Sequence, residues 1–432
     1  MTEATRRSFD VVVVGGGPAG IAAASVAARG GASVALLDDN PGLGGQIWRG
    51  QDRVSRSATT ASWFEEINRS NVNWICPAQV FHVETGRLLA ESPEETQEIL
   101  FEKLILATGA RERFLPFCGW TLGNVLGAGG LQALLKSGLE VRGKRIAIAG
   151  TGPLLLAVAA CVREHGGEVV CIAEQTTHIK FATFGMSMLL APGKFRETLR
   201  LGWELKGVPH WRNCWPVAAL GKERVERVRL SHGGRIKEIA CDYFACGFHL
   251  IPNTELAEYL GCTIQEGFVV VDEQQQTSVP GIYAAGEPTG IGGLELALIE
   301  GQIAGQAAAG KTVVHQKLLK ARAASQIAVR AMEKAFALRA ELRNMADADT
   351  LVCRCEDVSF ERLRGHVSWR EAKLQTRCGM GPCQGKLCGP ATEFLFGWDA
   401  DSLRPPLFPV RCSSLAAIFV NTDPGARKGG TQ

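Results

Sequence analysis

The sequence lacks the features that mark several large classes of protein. No apolar run approaches the roughly 18 residues of a membrane-spanning helix, and the N-terminus has no hydrophobic signal-peptide core. The net charge is only +3, so composition gives no reason to expect a nucleic-acid partner. Fourteen cysteines are present, but no Cys-x-x-Cys pair occurs, which excludes the usual dithiol redox motif. We therefore expect a cytoplasmic protein whose cysteines stay reduced.

The most informative stretch is a glycine-rich turn near the N-terminus. Four consecutive valines predict a buried parallel strand, and an alanine-rich helix follows the turn at once. Between them, Gly15, Gly17 and Gly20 form the G-x-G-x-x-G fingerprint of a dinucleotide-binding βαβ unit, whose backbone approaches a pyrophosphate. The next strand ends at Asp38, where an acid can bind a ribose hydroxyl. This stretch predicts a dinucleotide site.

The same pattern is repeated in the middle of the chain. Residues 144–174 again predict strand, glycine turn, helix and strand, with Gly150 and Gly152 in the turn and Glu174 at the end. Because no arginine cluster follows Glu174, NADH or another adenine nucleotide is favoured over NADPH. Leu155, however, replaces the third glycine, which disfavours close packing of helix and strand and a working nicotinamide site. The sequence leaves open whether this unit binds a nucleotide or is structural.

Three further glycine-containing turns follow predicted strands or precede a helix. They are a Gly-Gly-Gln loop, an Ala-Thr-Gly-Ala strand end and an Ala-Gly-Glu turn. Turns of this kind suit the close approach of a dinucleotide cofactor, and a helix N-terminus favours its phosphates. The candidate contacts are Gly45, Gln46, Thr108, Gly109, Gly286 and Glu287.

Five cysteines are concentrated in residues 351–389. A Cys-x-Cys pair and, after a 22-residue gap with helical patterning, a Cys-x4-Cys pair offer the four thiolates that a [2Fe-2S] cluster needs. Zinc is the alternative, although structural zinc sites favour Cys-x2–4-Cys pairs. Cys388 is either a spare or an alternative ligand, and the other nine cysteines are predicted to be core residues. The predicted ligands are Cys353, Cys355, Cys378 and Cys383.

In this order, the glycine turns resemble the two-dinucleotide-binding-domain flavoproteins of the pyridine-nucleotide oxidoreductase family, over roughly the first 310 residues. The resemblance implies FAD in the first βαβ unit. The reactive cysteine pair of the disulfide-reductase branch is missing. The cysteine region resembles the bacterioferritin-associated-ferredoxin type of [2Fe-2S] domain. A flavoprotein with this ending looks like the α subunits of the opine oxidase, hydrogen cyanide synthase and hydroxyproline dehydrogenase group.

The resemblance also implies the architecture. We expect an α/β protein with two Rossmann-like dinucleotide-binding domains, the second inserted in the first, and a small C-terminal helical [2Fe-2S] domain. The predicted segments are the FAD-binding domain at 1–120 and 249–315, the inserted domain at 121–248, a helical linker at 316–345, the [2Fe-2S] domain at 346–400 and a tail at 401–432.

The implied function is electron transfer within a heteromeric enzyme. The chain would be the FAD- and [2Fe-2S]-containing α subunit of an amino-acid or opine dehydrogenase that oxidises a C–N bond, for example of an opine, glycine or hydroxyproline. Its partner would be a β subunit flavoprotein of the amino-acid-oxidase type. The alternative is a free-standing NADH-dependent reductase that passes electrons through the cluster to a soluble acceptor. The sequence singles out no catalytic acid or base, substrate or electron acceptor.

Overall fold

The computed structural model describes residues 4–49, 57–188, 200, 202–311, 316–399 and 403–420. The contacts divide the chain into two units. The outer unit comprises residues 1–110, 252–323 and 402–432, and the inner unit comprises 111–251 and 324–401. This alternation agrees with the predicted insertion of one α/β unit into another.

The elements follow one another in the expected α/β order. Up to residue 112 they are β1 (Thr5–Val14), α1 (Pro18–Arg29), β2 (Val34–Leu37), α2 (Ala58–Arg69), β3 (Val72–Ile75), β4 (Gln79–Glu84), β5 (Arg87–Glu91), β6 (Thr96–Leu106) and β7 (Ala110–Glu112). Up to residue 252 they are β8 (Val125–Gly127), α3 (Ala128–Lys136), β9 (Arg145–Thr151), α4 (Leu154–Glu164), β10 (Glu168–Glu174), α5 (His178–Met188), β11 (His210–Arg212), β12 (Cys214–Leu220), β13 (Arg227–His232), β14 (Arg235–Ala240), β15 (Tyr243–Phe248) and β16 (Leu250–Pro252).

The remaining part of the chain is mainly helical. Its next elements are α6 (Glu255–Tyr259), β17 (Ile264–Gln265), β18 (Phe268–Val269), β19 (Ile282–Ala284), α7 (Gly293–Ala308) and α8 (Gln316–Phe336). The last are β20 (Leu351–Cys353), β21 (Val358–Ser359), α9 (Phe360–Arg364), α10 (Trp369–Thr376), α11 (Cys388–Phe396) and α12 (Cys412–Val420). None of these described helices is both long and apolar enough to span a membrane.

The described residues of the outer unit are built around one seven-stranded sheet. Its order is β3-β2-β1-β6-β5-β4, with β19 also paired to β6. Strand β1 pairs in parallel with both β2 and β6. Val11 and Val13 enter the core on one face of the sheet, whereas Val12 and Val14 enter the core on the other. The run of four valines is therefore a strand buried on both faces, as the sequence predicts.

The described part of the inner unit repeats this arrangement. Its parallel sheet has the order β11-β10-β9-β15-β8, and β12, β13 and β14 form a separate antiparallel sheet. Helix α4 begins two residues after Gly152, whereas α1 begins directly after Gly17. Leu155 is 1% exposed in the core on the α4 side of the sheet. In the first βαβ unit, Gly20 allows helix and strand to pack closely. In the second unit, the Leu155 side chain fills the corresponding interface.

The cysteine region belongs to the inner unit and begins as a short β20–β21 hairpin. Helices α9 and α10 account for the helical patterning that the sequence shows between the two cysteine pairs. The next helix, α11, begins at Cys388, five residues after Cys383. Gln384 and Gly385 have φ of +51° and +79°, a left-handed conformation that interrupts a right-handed helix.

The prediction for the other nine cysteines holds in part. Six of them are buried, all within the described residues. Cys76 and Cys118 are only half-buried, and Cys412 is exposed at the start of α12. None of the fourteen cysteines, all of which are described, forms a disulfide.

Candidate functional site

The fingerprint turn joins β1 to α1, and its three glycines serve different purposes. Gly15 has a φ of +109°, and a Cβ there would lie 2.1 Å from the carbonyl oxygen of Ala107. A Cβ on Gly20 would lie 1.8 Å from the carbonyl oxygen of Gly15. A Cβ on Gly17 would meet nothing closer than 3.9 Å. Gly15 and Gly20 are therefore required by packing within the protein, whereas the space beside Gly17 is open to a ligand.

Asp38 follows β2, as predicted, and its carboxylate faces the fingerprint turn. One oxygen accepts a hydrogen bond from the backbone N–H of Gly16, and the other accepts from the backbone and side chain of Asn40. Since a carboxylate offers about four lone-pair positions, Asp38 can hold the turn and still accept from a ribose hydroxyl.

Sequence reasoning missed Asp39, although the Asp-Asp pair at the strand end was an available signal. Its side chain is exposed beside Asp38. It lines a surface cavity of about 450 Å³ together with residues of the loop that follows β3. Asp39 is therefore a second acid that could contact the adenosine end of a dinucleotide.

The Gly-Gly-Gln loop lies directly against the fingerprint turn. The N–H of Gly44 donates to the carbonyl oxygen of Gly16 at 2.8 Å. A Cβ on Gly45 would lie 2.9 Å from the Cα of Gly17. Gln46 is exposed at the end of the loop. The loop is thus placed beside the open space at Gly17, as a flavin site requires.

The turn after β6 is fixed by Asn253. The Thr108 hydroxyl donates to the Asn253 carbonyl oxygen at 2.6 Å, and the Asn253 side chain donates to the Thr108 carbonyl oxygen at 2.9 Å. The Asn253 N–H donates to the carbonyl oxygen of Gly109, whose φ is +67°. Thr108 and Gly109 therefore lie in a rigid turn. Asn253 lies 145 positions away from Thr108 in sequence, so no local pattern could have indicated this role.

The Ala-Gly-Glu turn approaches the start of α1. Gly286 has a φ of +81°, and a Cβ there would lie 2.9 Å from the Cβ of Ala19. The Glu287 carboxylate accepts from the N–H of Gly293 at 3.1 Å and so caps α7. The Gly286 N–H donates to the buried carboxylate of Glu300, which sequence reasoning also missed. The predicted outer-unit contacts are thus gathered around the fingerprint turn, in an arrangement that fits a dinucleotide cofactor.

The corresponding turn of the inner unit is hydrogen-bonded to the carboxylate of Glu174. Glu174 lies at the end of β10, as predicted, but it is 2% exposed. One of its oxygens accepts from the Gly152 N–H at 2.7 Å, and the other accepts from the Thr151 hydroxyl and the Thr176 N–H. Burial raises the pKa of this carboxyl group. A ribose hydroxyl would have to reach a carboxylate that is closed off from solvent.

Residues 335–339, which we call the strap, cover this turn. The carbonyl oxygen of Phe336 accepts hydrogen bonds from the Thr151 hydroxyl at 3.2 Å, from Gln175 Nε2 at 3.3 Å and from His249 Nε2 at 2.7 Å. The Phe336 side chain is 2% exposed. The strap therefore lies against the side chains of Thr151 and Gln175, while the space beside Gly152, where a Cβ would meet nothing within 4 Å, is open.

An acidic side chain also occupies a helix N-terminus of the inner unit. The Glu112 carboxylate accepts from the N–H groups of Gly129 and Gly130, in the first turn of α3. Desolvation raises its pKa to about 7. A Cβ on Gly247, near the end of β15, would lie 2.8 Å from this carboxylate. Glu112 thus holds an anion position that a ligand phosphate could otherwise use.

The structure brings the five C-terminal cysteines together in two groups. The sulfurs of Cys353, Cys378 and Cys388 lie within 4.8 Å of one another, and all three residues are buried. The thiols of Cys355 and Cys383 contact each other on the more exposed side. Of the four cysteines predicted from the spacing, Cys353 and Cys378 therefore share a group with Cys388, and Cys355 and Cys383 form a separate pair.

The contacts among the cysteines act in opposite directions on their pKa values. The thiols of Cys378 and Cys388 donate to the Cys353 sulfur and lower its pKa to about 2, whereas their bonds to Cys353 and burial raise the pKa values of Cys378 and Cys388. A Cβ on Gly381 would lie 2.3 Å from the Cβ of Cys355, so glycine is needed for the two loops to meet. Sulfur-only donor sets of this kind suit an iron–sulfur cluster or zinc.

The cysteine region is fixed to the rest of the inner unit by direct contacts. The Trp120 indole N–H donates to the Leu351 carbonyl oxygen at 2.6 Å. The Arg111 side chain donates to the Lys386 carbonyl oxygen at 3.3 Å. These bonds hold the strand and the loop that carry cysteines. The inner α/β unit is therefore a platform for the cysteine region.

The architecture is that of a flavoprotein with two dinucleotide-binding domains, and comparison with known proteins agrees. The family model for pyridine nucleotide-disulphide oxidoreductases matches residues 9–304. An opine oxidase subunit of Rhizobium meliloti is 31% identical over 96% of this chain and 88% of that protein. Hydrogen cyanide synthase subunit HcnB of Pseudomonas aeruginosa is 31% identical over 91% of this chain and 92% of that protein.

A solved structure extends the fold comparison to nearly the whole chain. The L-proline dehydrogenase from P. horikoshii superposes with a TM-score of 0.71 at 19% identity, covering 96% of this chain and 81% of that chain. The chain belongs to the pyridine nucleotide-disulphide oxidoreductase family and is an FAD-dependent oxidoreductase. The predicted resemblance to subunits of the opine oxidase and hydrogen cyanide synthase group is confirmed.

Proposed function

We propose that this chain is the electron-transfer (α) subunit of a heteromeric dehydrogenase or oxidase that oxidises the C–N bond of an amino acid or opine. The observation that carries the proposal is the combination, in one chain, of a dinucleotide cradle with a buried group of cysteine sulfurs. The relatives named as subunits of opine oxidase and hydrogen cyanide synthase support it, since each aligns with most of this chain.

FAD would bind the outer unit along the N-terminus of α1. The pyrophosphate would lie at Gly15, Gly17 and Gly20, and the ribose at Asp38. The helix dipole and the first N–H groups of α1 favour an anion at this position, so they would stabilise the negatively charged pyrophosphate. When bound, FAD supplies a centre that can accept an electron pair and release single electrons. The flavin side would meet the loops that carry the remaining candidates, Gly45, Gln46, Thr108, Gly109, Gly286 and Glu287.

A [2Fe-2S] cluster would bind the cysteine region. Four ligands are needed, and five cysteines are available. The spacing supports Cys353, Cys355, Cys378 and Cys383, whereas the geometry makes Cys388 a competitor for the fourth position. Cys388 begins α11, and a helix N-terminus stabilises a thiolate. Zinc remains the alternative occupant, and metal analysis distinguishes the two.

The inner unit is proposed to be a scaffold rather than an NADH site. The Glu174 carboxylate, the Thr151 hydroxyl and the N-terminus of α3 are engaged by the protein's own groups, although the space beside Gly152 is open. NADH or another adenine nucleotide would have to compete for a buried carboxylate that is already bonded to the turn. This arrangement weighs against the alternative of a free-standing NADH-dependent reductase.

The partner would be a β subunit flavoprotein of the amino-acid-oxidase type, in the cytoplasm, and would carry most of the substrate pocket. A tagged copy purified anaerobically from the native host tests the assembly. We expect a second flavoprotein to co-purify, with FAD and about two irons per copy of this chain. A chain that purifies alone, with stoichiometric zinc and no iron, would contradict the proposal.

A further inference from the structure

Helix α7 packs against α1 with almost no side chains between the two backbones. A Cβ on Gly301 would lie 2.2 Å from the Ala19 carbonyl oxygen, and a Cβ on Gly305 would lie 2.4 Å from the Ala23 carbonyl oxygen. Because α1 begins at the fingerprint turn, this packing brings the turn before α7, which starts at Gly286, to the same place. A group on α7 that holds Gly286 therefore acts at the dinucleotide cradle.

Glu300 is a buried acid on α7 and is 1% exposed. One carboxylate oxygen accepts from the Gly286 N–H at 2.9 Å and from the Thr289 hydroxyl at 2.8 Å. It thus ties both ends of the turn that contains Glu287. If the carboxylate were removed, the buried Gly286 N–H would be left without an acceptor, which destabilises the turn by the desolvation cost of that group. The conformation of the turn therefore depends on Glu300.

Arg322 of α8 is the cationic partner of Glu300. Its Nε lies 3.6 Å from the second Glu300 oxygen, and its side chain is 13% exposed. The guanidinium also donates to the Asp272 carbonyl oxygen at 3.0 Å. Removing one member of a buried ion pair is costly, whereas removing both can be nearly neutral. Comparing single and double variants therefore distinguishes the stability cost of an unpaired buried charge from the loss of the hydrogen bonds that Glu300 makes to the turn.

We propose that Glu300 is a positioning residue for the cofactor: it fixes the Gly286–Thr289 turn in the conformation that receives the flavin side of FAD. The proposal rests on the assignment of FAD to the outer unit. A turn that is fixed in advance does not have to be ordered when the cofactor binds, so affinity is gained by preorganisation.

The test is titration of the full-length apoprotein with FAD, alongside its thermal unfolding midpoint. Glu300→Ala should weaken FAD binding by about ten- to hundredfold, the effect of leaving a buried donor unsatisfied. Glu300→Gln keeps an acceptor and should recover most of the affinity. Glu295→Ala, an exposed acid on the same helix, is the matched control and should bind FAD normally.

A double variant separates positioning from stability. Glu300→Met with Arg322→Met removes both buried charges, so the unfolding midpoint should return towards that of the parent protein while FAD binding stays weak. Recovery of both properties would show that Glu300 is merely structural. Normal FAD binding by Glu300→Ala would also overturn the proposal. If the parent protein itself binds no FAD, the cofactor assignment fails instead.

Discussion

At the scale of single residues, the three fingerprint glycines are required for different physical reasons. The motif assigns Gly15, Gly17 and Gly20 one shared role. In the structure, a Cβ on Gly15 or Gly20 would collide with backbone oxygens, whereas a Cβ on Gly17 would enter open space. Substitutions at the first two should therefore damage the fold, and a substitution at Gly17 should affect the ligand.

Gly17→Val should give a folded protein that lacks FAD. Gly17 has a φ of −74°, which valine can adopt, so the branched side chain fills the pyrophosphate space without backbone strain. Purified protein should show native circular dichroism and almost no visible flavin absorption. Gly42→Val is the matched control, since a Cβ on Gly42 meets nothing within 4 Å. A Gly17→Val protein with a full complement of flavin would contradict the assignment.

The fourth ligand of the cluster should be decided by one pair of serine variants. Cys378 and Cys388 both lie within 4.8 Å of the Cys353 sulfur, but only one further ligand is needed beside Cys353, Cys355 and Cys383. We expect one of the two variants to keep about two irons per chain and the other to lose them, measured by metal analysis and electron paramagnetic resonance. The exposed Cys412→Ser is the control. Loss of iron in both variants, or in neither, would contradict a four-cysteine site.

Asp39 had a local signal, but Asn253 and Glu300, the other residues that sequence reasoning missed, act through tertiary packing. Asn253 holds the turn at Thr108, and Glu300 holds the turn at Gly286. Neither belongs to a short motif, because its partner is fixed only by the packing of helices and strands. The glycines and cysteines were accessible from sequence because turn geometry and metal ligation impose local spacings.

At the scale of elements, the end of α8 changes the interpretation of the inner unit. The composition predicts a helical linker over 316–345, but the helix ends at Phe336. The last carbonyl groups of a helix have no partner within it. Here the Phe336 carbonyl oxygen accepts from Thr151, Gln175 and His249. The βαβ repeat was predictable from its glycines. The hydrogen bonds between its residues and the distant end of α8 were not.

We expect NADH in excess to leave the flavin absorption unchanged in stopped-flow mixing. The physical reasons are that the Glu174 carboxylate is buried and already bonded to the Gly152 and Thr176 N–H groups, and that Leu155 replaces the third fingerprint glycine. Deuterium exchange should show the N–H groups of Gly152 and Thr176 strongly protected, with no change on adding NADH. Fast stoichiometric bleaching of the flavin would instead favour the free-standing reductase.

The strap itself can be tested with Phe336→Ala. Removing a buried phenylalanine side chain costs about 3 kcal/mol, which corresponds to roughly hundredfold faster exchange at Gly152 and Thr176 if the strap opens locally. Ile327→Ala, at an exposed position of the same helix, should leave exchange unchanged. Equal exchange in the two variants would show that the strap does not protect this turn.

At the scale of the whole molecule, the proposed flavin site and the proposed cluster in one chain are the basis for proposing transfer to another redox centre. An amine gives up two electrons, whereas a [2Fe-2S] cluster carries one at a time, so the flavin is needed between them. Basic side chains lie close in sequence to the cysteines and suggest a face for an acidic partner. Arg377 is paired with Glu356 at 2.7 Å, so it contributes less net charge to such a face than the sequence suggests. The others are Arg354, Lys373 and Lys386.

The partner prediction is that this chain alone oxidises no amino acid. Activity towards an N-substituted or cyclic amino acid should appear only when a β flavoprotein is co-expressed, because the substrate pocket would lie largely on that partner. The isolated chain and the co-expressed pair are assayed with opines, glycine and hydroxyproline, using an artificial acceptor dye. A pair containing the Gly17→Val chain controls for electron transfer through this chain and should be strongly impaired. Full activity of the isolated parent chain would show that it carries its own substrate site, and its assignment as an electron-transfer subunit would have to be abandoned.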